Sequence, residues 1–386
     1  MRTSEFDVIL VGGGLASALT ALALLDRKPT TRIALVEREE TLGGNHTWCF
    51  HAHDVPARAR ALIAPLVVAR WDGYAVHFPG RSRRLASSYG CITSPRLHEV
   101  LAARMATAPG SALLLGREAT QIGAREVTLD DGSVLQAKLV VCATGPAPSD
   151  GEDRGYQKFV GLELAIAPPH PYAEPVIFDA RIPQEDGFRF MYVLPLAADR
   201  VLVEETFFSE SERLDEARST RAILDYAAAQ GLRVTRVHRV ERGVLPMPWR
   251  ERAFDSRARP LESGYRGGLF HPVTGYSFPI ALRFALALAD SDLDALDDGS
   301  PLAAFARAHA AQRPLLRLLT RLLFTCFAPE RRFSVLEHFY RLPEPLIARF
   351  YAAELSPVDG ARIFLGAPPR GFSLGRAIRL HTGATP

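Results

Sequence analysis

The opening residues constrain this chain more than any other stretch. Phe6-Asp-Val-Ile-Leu-Val11 is apolar except for Asp7 and runs directly into Gly12-Gly-Gly-Leu-Ala-Ser-Ala18. An apolar run that ends in glycine is the pattern of a parallel strand buried on both faces. A helical run, Leu19 to Leu25, follows, and then a second strand, Arg32-Ile-Ala-Leu-Val36, which closes on Glu37, 25 residues after Gly12. Strand, glycine turn, helix, strand and acid in that order predict a βαβ unit that binds an adenine dinucleotide. Gly12 permits the tight turn, and Gly14 lets the backbone approach a pyrophosphate. Leu15 and Ala16 open the helix whose free N–H groups would meet that anion. Glu37, with Arg38 beside it, would accept from a ribose hydroxyl. The third fingerprint position is Ser17, small enough for helix and strand to pack closely. A glycine-rich turn without a ligand is the alternative.

FAD is preferred to NAD because the pattern opens the chain and a later segment repeats the layout of FAD proteins. Asp130-Asp-Gly132 predicts a hairpin turn between Val127–Leu129 and Val134–Ala137. Lys138-Leu-Val-Val-Cys-Ala-Thr-Gly145 then returns as a buried strand that brings Ala143, Thr144 and Gly145 to the dinucleotide. Between the two units, Ser94-Pro95 starts a helix, with Ser as cap and Pro in the first turn. That helix presents Arg96, read as a phosphate partner, with a plain surface position as the other reading.

At 386 residues with 47% hydrophobic content, the chain suggests two interwoven domains or one large one, with ample length for a core. Cys49, Cys91, Cys142 and Cys326 form no C-x-x-C pair, so neither a zinc site nor a disulfide framework is indicated, and a reducing cytoplasm is expected. The N-terminus lacks the apolar stretch of a signal peptide, and no apolar run approaches the ~18 residues of a spanning helix. Charge is uneven. Residues 301–386 hold twelve Arg, no Lys and five Asp or Glu, a net +7 that leaves −4 for residues 1–300. A basic end points to an anionic surface, lipid or nucleic acid, or to Arg spread over solvated surface. Without any nucleic-acid motif, lipid is preferred.

Three segments go beyond a generic dinucleotide fold: Gly43-Gly-Asn-His-Thr-Trp48, Val203-Glu-Glu-Thr206, and Gly268-Leu-Phe-His-Pro-Val-Thr-Gly-Tyr-Ser-Phe-Pro279. With the N-terminal fingerprint, and in the same order over nearly the whole chain, they resemble the bacterial lycopene β-cyclases. The resemblance implies an α/β fold like that of class A flavoprotein hydroxylases and geranylgeranyl reductases. A Rossmann-type FAD-binding domain would span 1–50, 85–148 and 262–300. An antiparallel-sheet substrate domain would span 51–84 and 149–261, and a helical, basic region 301–386 would contact membrane. It implies reduced FAD, with NAD(P)H as electron source, and no net redox change. The substrates would be lycopene and γ-carotene and the product β-carotene. It further implies a peripheral position on the inner face of the cytoplasmic membrane and other carotenoid-pathway enzymes as partners. Glu204 and Glu205 carry the family's acidic motif, Glu204 ranked above Glu205. Asn45 and His46, with Gly275, Tyr276 and Ser277, would hold the cofactor, while Trp48, His271, Pro272 and Thr274 would line the flavin or substrate pocket.

The residue chemistry can be read beside this. Cyclisation needs a proton delivered to C2 of a terminal isoprene unit, closure between C1 and C6, and loss of a proton from C6. A carboxyl donates near neutral pH only where an apolar or anionic setting raises its pKa. Glu204 and Glu205 follow Arg200-Val-Leu-Val203, a strand-like run in which neighbouring side chains point to opposite faces. One should enter the cavity and the other turn outward or into a salt bridge. Phe188, Phe190 and Tyr192 share a face of the preceding strand and could roof a flavin, although core packing explains them equally well. His46, His51 and His53 match no metal-ligand spacing, so no metal is expected. His271 is read as flavin-facing, with a satisfied loop histidine as the alternative. A helix starting at Pro314 would place Arg313, Arg317 and Arg321 on one face and Leu315, Leu318, Leu319 and Leu322 on another, to lie in a headgroup plane. A buried helix with snorkelling Arg looks the same. Two other functions remain: a flavin oxidoreductase acting on a lipid, such as a prenyl reductase or monooxygenase, or a flavin-binding carrier without chemistry of its own.

Overall fold

The apolar opening strand, Ser4–Val11, lies at the middle of a seven-stranded sheet in the computed structural model, which describes residues 4–146, 154–167, 170–249, 253–373 and 375. It pairs in parallel with Ile33–Val36 on one side and Val134–Cys142 on the other, and Ala112–Leu114 extends the parallel part. Both faces are covered, as a parallel sheet requires. Val8 and Leu10 share a core with the helices Leu15–Arg27 and Phe278–Asp290, while Ile9 and Val11 pack with Val127 and Leu129. The expected hairpin is present: Glu126–Leu129 runs antiparallel to Val134–Cys142, and Gly132 takes a φ of 78° in the turn. The return strand sets Cys142 opposite Val11, so its C-terminal end arrives beside the glycine turn.

Two local expectations need correction. The helix read from Ser94 has Thr93 at its N-cap position, without a side-chain capping bond, and Ser94 is its first residue, Ser94–Ala106, its hydroxyl accepting from the His46 N–H at 3.3 Å. Tertiary use of the hydroxyl displaces its capping role. Pro314 does not begin a helix; it lies inside Pro301–Thr325, which starts at Ser300 with that hydroxyl accepting from Ala303 N at 3.2 Å. The flanking turns are anchored by buried Leu316 and Leu323, so packing overrides the hydrogen bond that proline cannot make.

A second seven-stranded sheet runs in the order Val234–Pro248, Arg154–Ile166, Arg200–Ser209, Phe188–Ala197, Val176–Asp179, Tyr74–Phe78, Arg81–Leu85. It is antiparallel except where Val176–Asp179 meets Tyr74–Phe78. One face packs Val160, Leu162, Val201 and Val203 against Ile223 and Ala227 of the helix Glu216–Ala229. The other face looks into a cavity. A small sheet of Thr47–His51, Tyr89–Thr93 and Ala69–Trp71 is tied to the second large one, where Thr47 N donates to Glu241 at 2.7 Å.

The C-terminal part is helical: Pro301–Thr325, Phe333–Phe339, Glu344–Tyr351 and Pro357–Phe364. Residues 374 and 376–386 of the expected basic region lie outside the described residues, as do 1–3 and 147–148 of the expected FAD-binding domain and 149–153, 168–169 and 250–252 of the expected substrate domain. The faces of the long helix differ from the expectation. Arg313 is buried and donates to Gly268 O at 3.0 Å, sharing the inward stripe with Leu316, Thr320 and Leu323, whereas Leu318 is 44% exposed. Among the described residues no helix is long and apolar enough to cross a membrane.

Candidate functional site

A cavity of about 1060 Å³ runs from the glycine turn of the first sheet to the aromatic face of the second. At one end it is lined by Gly12, Gly13, Gly14, Leu15, Ala16, Glu37, Arg38, Ala143, Thr144 and Gly145. A side chain at Gly12, where φ is 96°, would sit 2.6 Å from Ala143 O. At Gly14 a Cβ would meet nothing within 4 Å, because the backbone there faces open cavity. The helix Leu15–Arg27 has no side-chain cap and no acid in its first turn, which leaves its leading N–H groups available to an anion. Glu37 accepts from Gly13 N and, at 2.9 Å, from Glu39 N. One of its oxygens thereby ties the second strand to the turn. These features fit a dinucleotide phosphate.

Ser277, the uncapped N-cap of Phe278–Asp290, opens on the same cavity together with Thr274, Gly275 and Tyr276. Asn45, His46 and Trp48 also line it, although the Asn45 amide is engaged with Val240 O and with Arg239 at 3.1 Å. Burial and the Arg239 charge lower the pKa of His46, which keeps the ring neutral.

Three expected pocket residues are elsewhere. Arg96 donates to Pro65 O and to Glu99, both at 2.7 Å, and does not border the cavity. Its helix is turned so that Ser94 faces the His46 loop and Arg96 faces out. Arg117 borders the cavity instead, held by Asp130 at 2.9 Å. His271 is fully buried, with Nε2 2.8 Å from Phe350 O and Nδ1 accepting from Val273 N at 3.2 Å. It is the satisfied loop histidine, neutral because burial pushes its pKa down to about 3. Pro272, next to it, does not border the cavity either.

The two glutamates separate as strand alternation requires. Glu205 is fully buried on the helix-covered face, where Arg189 Nε donates to it at 2.6 Å and Arg218 Nη1 at 3.1 Å. Glu204 lines the cavity. In register, Tyr192, Glu204, Gly161 and Glu241 form one row across four strands on the cavity face. A Cβ on Gly161 would lie 3.5 Å from the Cβ atoms of both glutamates, so the missing side chain leaves the carboxyl groups facing across a notch. Glu241 is held by Thr47 N at 2.7 Å, Thr47 Oγ1 at 2.6 Å and Arg239. Burial pushes Glu204 up to about 8; the Thr206 hydroxyl, which donates to Oε1, opposes the rise and the Glu241 charge adds to it. A carboxyl so placed holds its proton at neutral pH and can deliver it to a substrate.

Around Glu204 the walls are aromatic. Phe159, Phe178, Phe190, Tyr192, Phe208, Tyr89 and Tyr351 all border the space, and the Tyr89 and Tyr192 hydroxyls are 2.9 Å apart. Ring faces of this kind hold apolar chains and stabilise cations. Phe188, expected beside Phe190, is fully buried behind it, with ring centroids 4.9 Å apart. Tyr89, His51, Tyr351, Arg117 and Glu241 escaped sequence reasoning as site residues. Cross-sheet packing brings them here, and no local motif marks them.

The comparisons agree with this geometry. The family model described as lycopene cyclase protein matches residues 7–377. A lycopene beta-cyclase of Pantoea ananas is 41% identical over 371 residues, 95% of each chain. Among solved structures, a geranylgeranyl bacteriochlorophyll reductase-like protein of Thermoplasma acidophilum superposes with a TM-score of 0.62 at 12% identity, covering 94% of this chain and 96% of its own. The p-nitrophenol 4-monooxygenase PnpA of Pseudomonas putida gives 0.64 at 16% identity, covering 92% and 99%. These two structures share the fold. Sequence likeness over almost the full length, joined to the glycine turn, the second sheet and the cavity-facing glutamate, places the chain in the lycopene cyclase family.

Proposed function

We propose that the chain is a lycopene β-cyclase, converting the ψ-ends of lycopene to β-ionone rings by way of γ-carotene, with FAD bound at the glycine end of the cavity. The observation that carries this reading is Glu204: a carboxyl kept protonated in an aromatic cavity that is continuous with a dinucleotide site. Gly12, Gly14 and the first turn at Leu15 and Ala16 would hold the pyrophosphate, Glu37 a ribose hydroxyl, and Gly275, Tyr276 and Ser277 the ring end. Bound in reduced form, with NAD(P)H as electron source, the cofactor would supply an electron-rich ring system able to stabilise positive charge.

The chain's own residues supply the rest. Thr206 fixes one Glu204 oxygen, so the proton is presented on the other. Its transfer to C2 leaves a cation at C1, the C5=C6 electrons close the C1–C6 bond, and charge moves to C5. Tyr192 stands next to Glu204 in register and offers a ring face to that charge. The apolar walls exclude water that would trap the cation as an alcohol.

A membrane contact is part of the proposal. Leu318 (44% exposed), Val358 (66%) and Phe364 (51%) are exposed on two helices brought together where Gly360 meets Leu315, and Leu365 (71%) directly follows the second helix. An outward apolar patch on a basic region suits the inner face of the cytoplasmic membrane, where a hydrocarbon substrate and other carotenoid-pathway enzymes would be met.

The test is colour in a lycopene-making host. The native chain should turn red cells orange, and Glu204→Gln should keep them red. Glu205→Gln should act through stability, since it leaves Arg189 and Arg218 facing a neutral group. Loss of one partner of a buried pair costs about 3–5 kcal/mol and would appear as a lowered melting temperature. In vitro, pre-reduced FAD under anaerobic conditions should give β-carotene of unchanged mass. Stoichiometric flavin oxidation or an oxygenated product would support an oxidoreductase instead.

A further inference from the structure

A proton that enters at C2 must be balanced by one that leaves, and behind the cavity wall, on a different element from Glu204, lies a second buried carboxyl. Asp54 is buried in the turn after Thr47–His51. Its Oδ2 accepts from the Tyr276 hydroxyl at 2.5 Å and from His51 N at 2.8 Å, and its Oδ1 has no hydrogen-bond partner among the described residues. Tyr276 borders the cavity, and so does His51, whose ring lies 6.3 Å from that of Tyr276 and 4.9 Å from that of Tyr89. Tyr89 in turn meets Tyr192, the neighbour of Glu204. The aromatic cavity is thus bounded by Glu204 at one place and by Tyr276, with Asp54 behind it, at another.

We infer that Tyr276, backed by Asp54, is the proton acceptor that ends the reaction by taking the proton from C6 of the cyclised cation. This rests on the cyclase reading above. The C6–H bond breaks, its electron pair becomes the C5=C6 double bond, and the proton passes to the Tyr276 oxygen as the phenol's own proton moves to Asp54 Oδ2. Nothing is oxidised or reduced; Asp54 later releases its proton to solvent, and Glu204 regains one from solvent. Burial drives Asp54 up to about 7, against the hydrogen bonds from Tyr276 and His51 N and the charge of Arg283, with Glu354 adding to the rise. That suits a base working near neutrality. His51 is neutral, its pKa pushed down to about 3 by burial and by His53.

A cation at C5 can lose a proton from C6, from C4 or from its methyl group, giving three different ring double bonds. The place of the base therefore selects the ring type, which a merely structural residue would not do. The experiment is end-group analysis of carotenoids from a lycopene-making host carrying Tyr276→Phe or Asp54→Asn. The share of ring ends with the double bond elsewhere than C5=C6 should rise by about tenfold. Tyr226→Phe is the control, because Tyr226 also donates to a buried carboxylate, Asp179 at 2.9 Å, but on the helix-covered face, and ring type should not change. A folded variant that forms no ring would count against the inference, since Glu204 would still start closure and the C5 cation could still lose a proton from C4 or from its methyl group. All-β rings from both variants, or folded variants that form no ring, would overturn the inference. Failure of the native chain to form rings would overturn the cyclase reading itself. Should Asp54→Asn not fold, Tyr276→Phe, which removes one oxygen, decides alone.

Discussion

Glu204 and Glu205 are neighbours on the chain and strangers in the molecule. One strand step turns Glu205 to two guanidinium groups and Glu204 to an aromatic cavity. The alternation was readable from the sequence, but which residue faced the cavity depended on the register with Arg154–Ile166 and Phe188–Ala197. A pH dependence follows for Glu204. Its folded pKa, about 8, is raised above the ordinary 4.5, so the native state binds more protons than the unfolded one between those values. Stability from this group is complete below about 4.5, declines as pH rises and is gone above about 8. Denaturant titrations should show Glu204→Gln gaining on the native protein across that window and by no more beyond it. Cyclisation should likewise fall as pH passes through about 8. Gly161 belongs to the same scale: the methyl of Gly161→Ala would fit at ordinary contact distance, 3.5 Å from the Cβ atoms of Glu204 and Glu241, and fill the notch between them, which should slow ring closure with little loss of melting temperature.

At the scale of elements, what was local was legible. Phe6–Val11, the glycine turn and the Asp130–Gly132 hairpin each carry their instruction within a few residues, and each forms as read. The C-terminal helix was misread because its Arg and Leu residues share a four-residue spacing, and spacing does not say which stripe is buried. Gly268 O and the His309 ring decide it by taking in Arg313. His309 Nε2 also stands 3.3 Å from Gly268 O, so Arg313→Leu removes one of two contacts to that carbonyl. A hydrogen bond from a charged donor contributes about 1.5–3 kcal/mol, and the melting temperature should fall. Leu318→Glu, on the outward face, should leave melting unchanged. It should reduce co-sedimentation with anionic vesicles, and unchanged sedimentation would remove this helix from the membrane contact. Arg96 and His271 were misassigned for a related reason: a motif names residue types, while the direction of a side chain is set by what its element packs against.

Taken as a whole, the molecule joins a nucleotide end assembled from consecutive residues to a reactive end assembled from distant ones. Tyr89, Tyr192, Glu204, Tyr276 and Tyr351 come from five separate elements or loops. No window of sequence contains that combination, which explains why the dinucleotide half was visible from local pattern, Glu204 and Tyr276 only through the family resemblance, and Tyr89 and Tyr351 not at all. Among the described residues, Glu204 is the carboxyl that borders the aromatic part of the cavity. A symmetrical substrate has two termini to process, and one acid can serve only one of them at a time. The half-finished molecule must therefore withdraw, reverse and come back, competing on its return with untouched substrate. Time courses at high lycopene should show the one-ringed compound building up ahead of the two-ringed one, and diluting the membrane phase should prolong that lag.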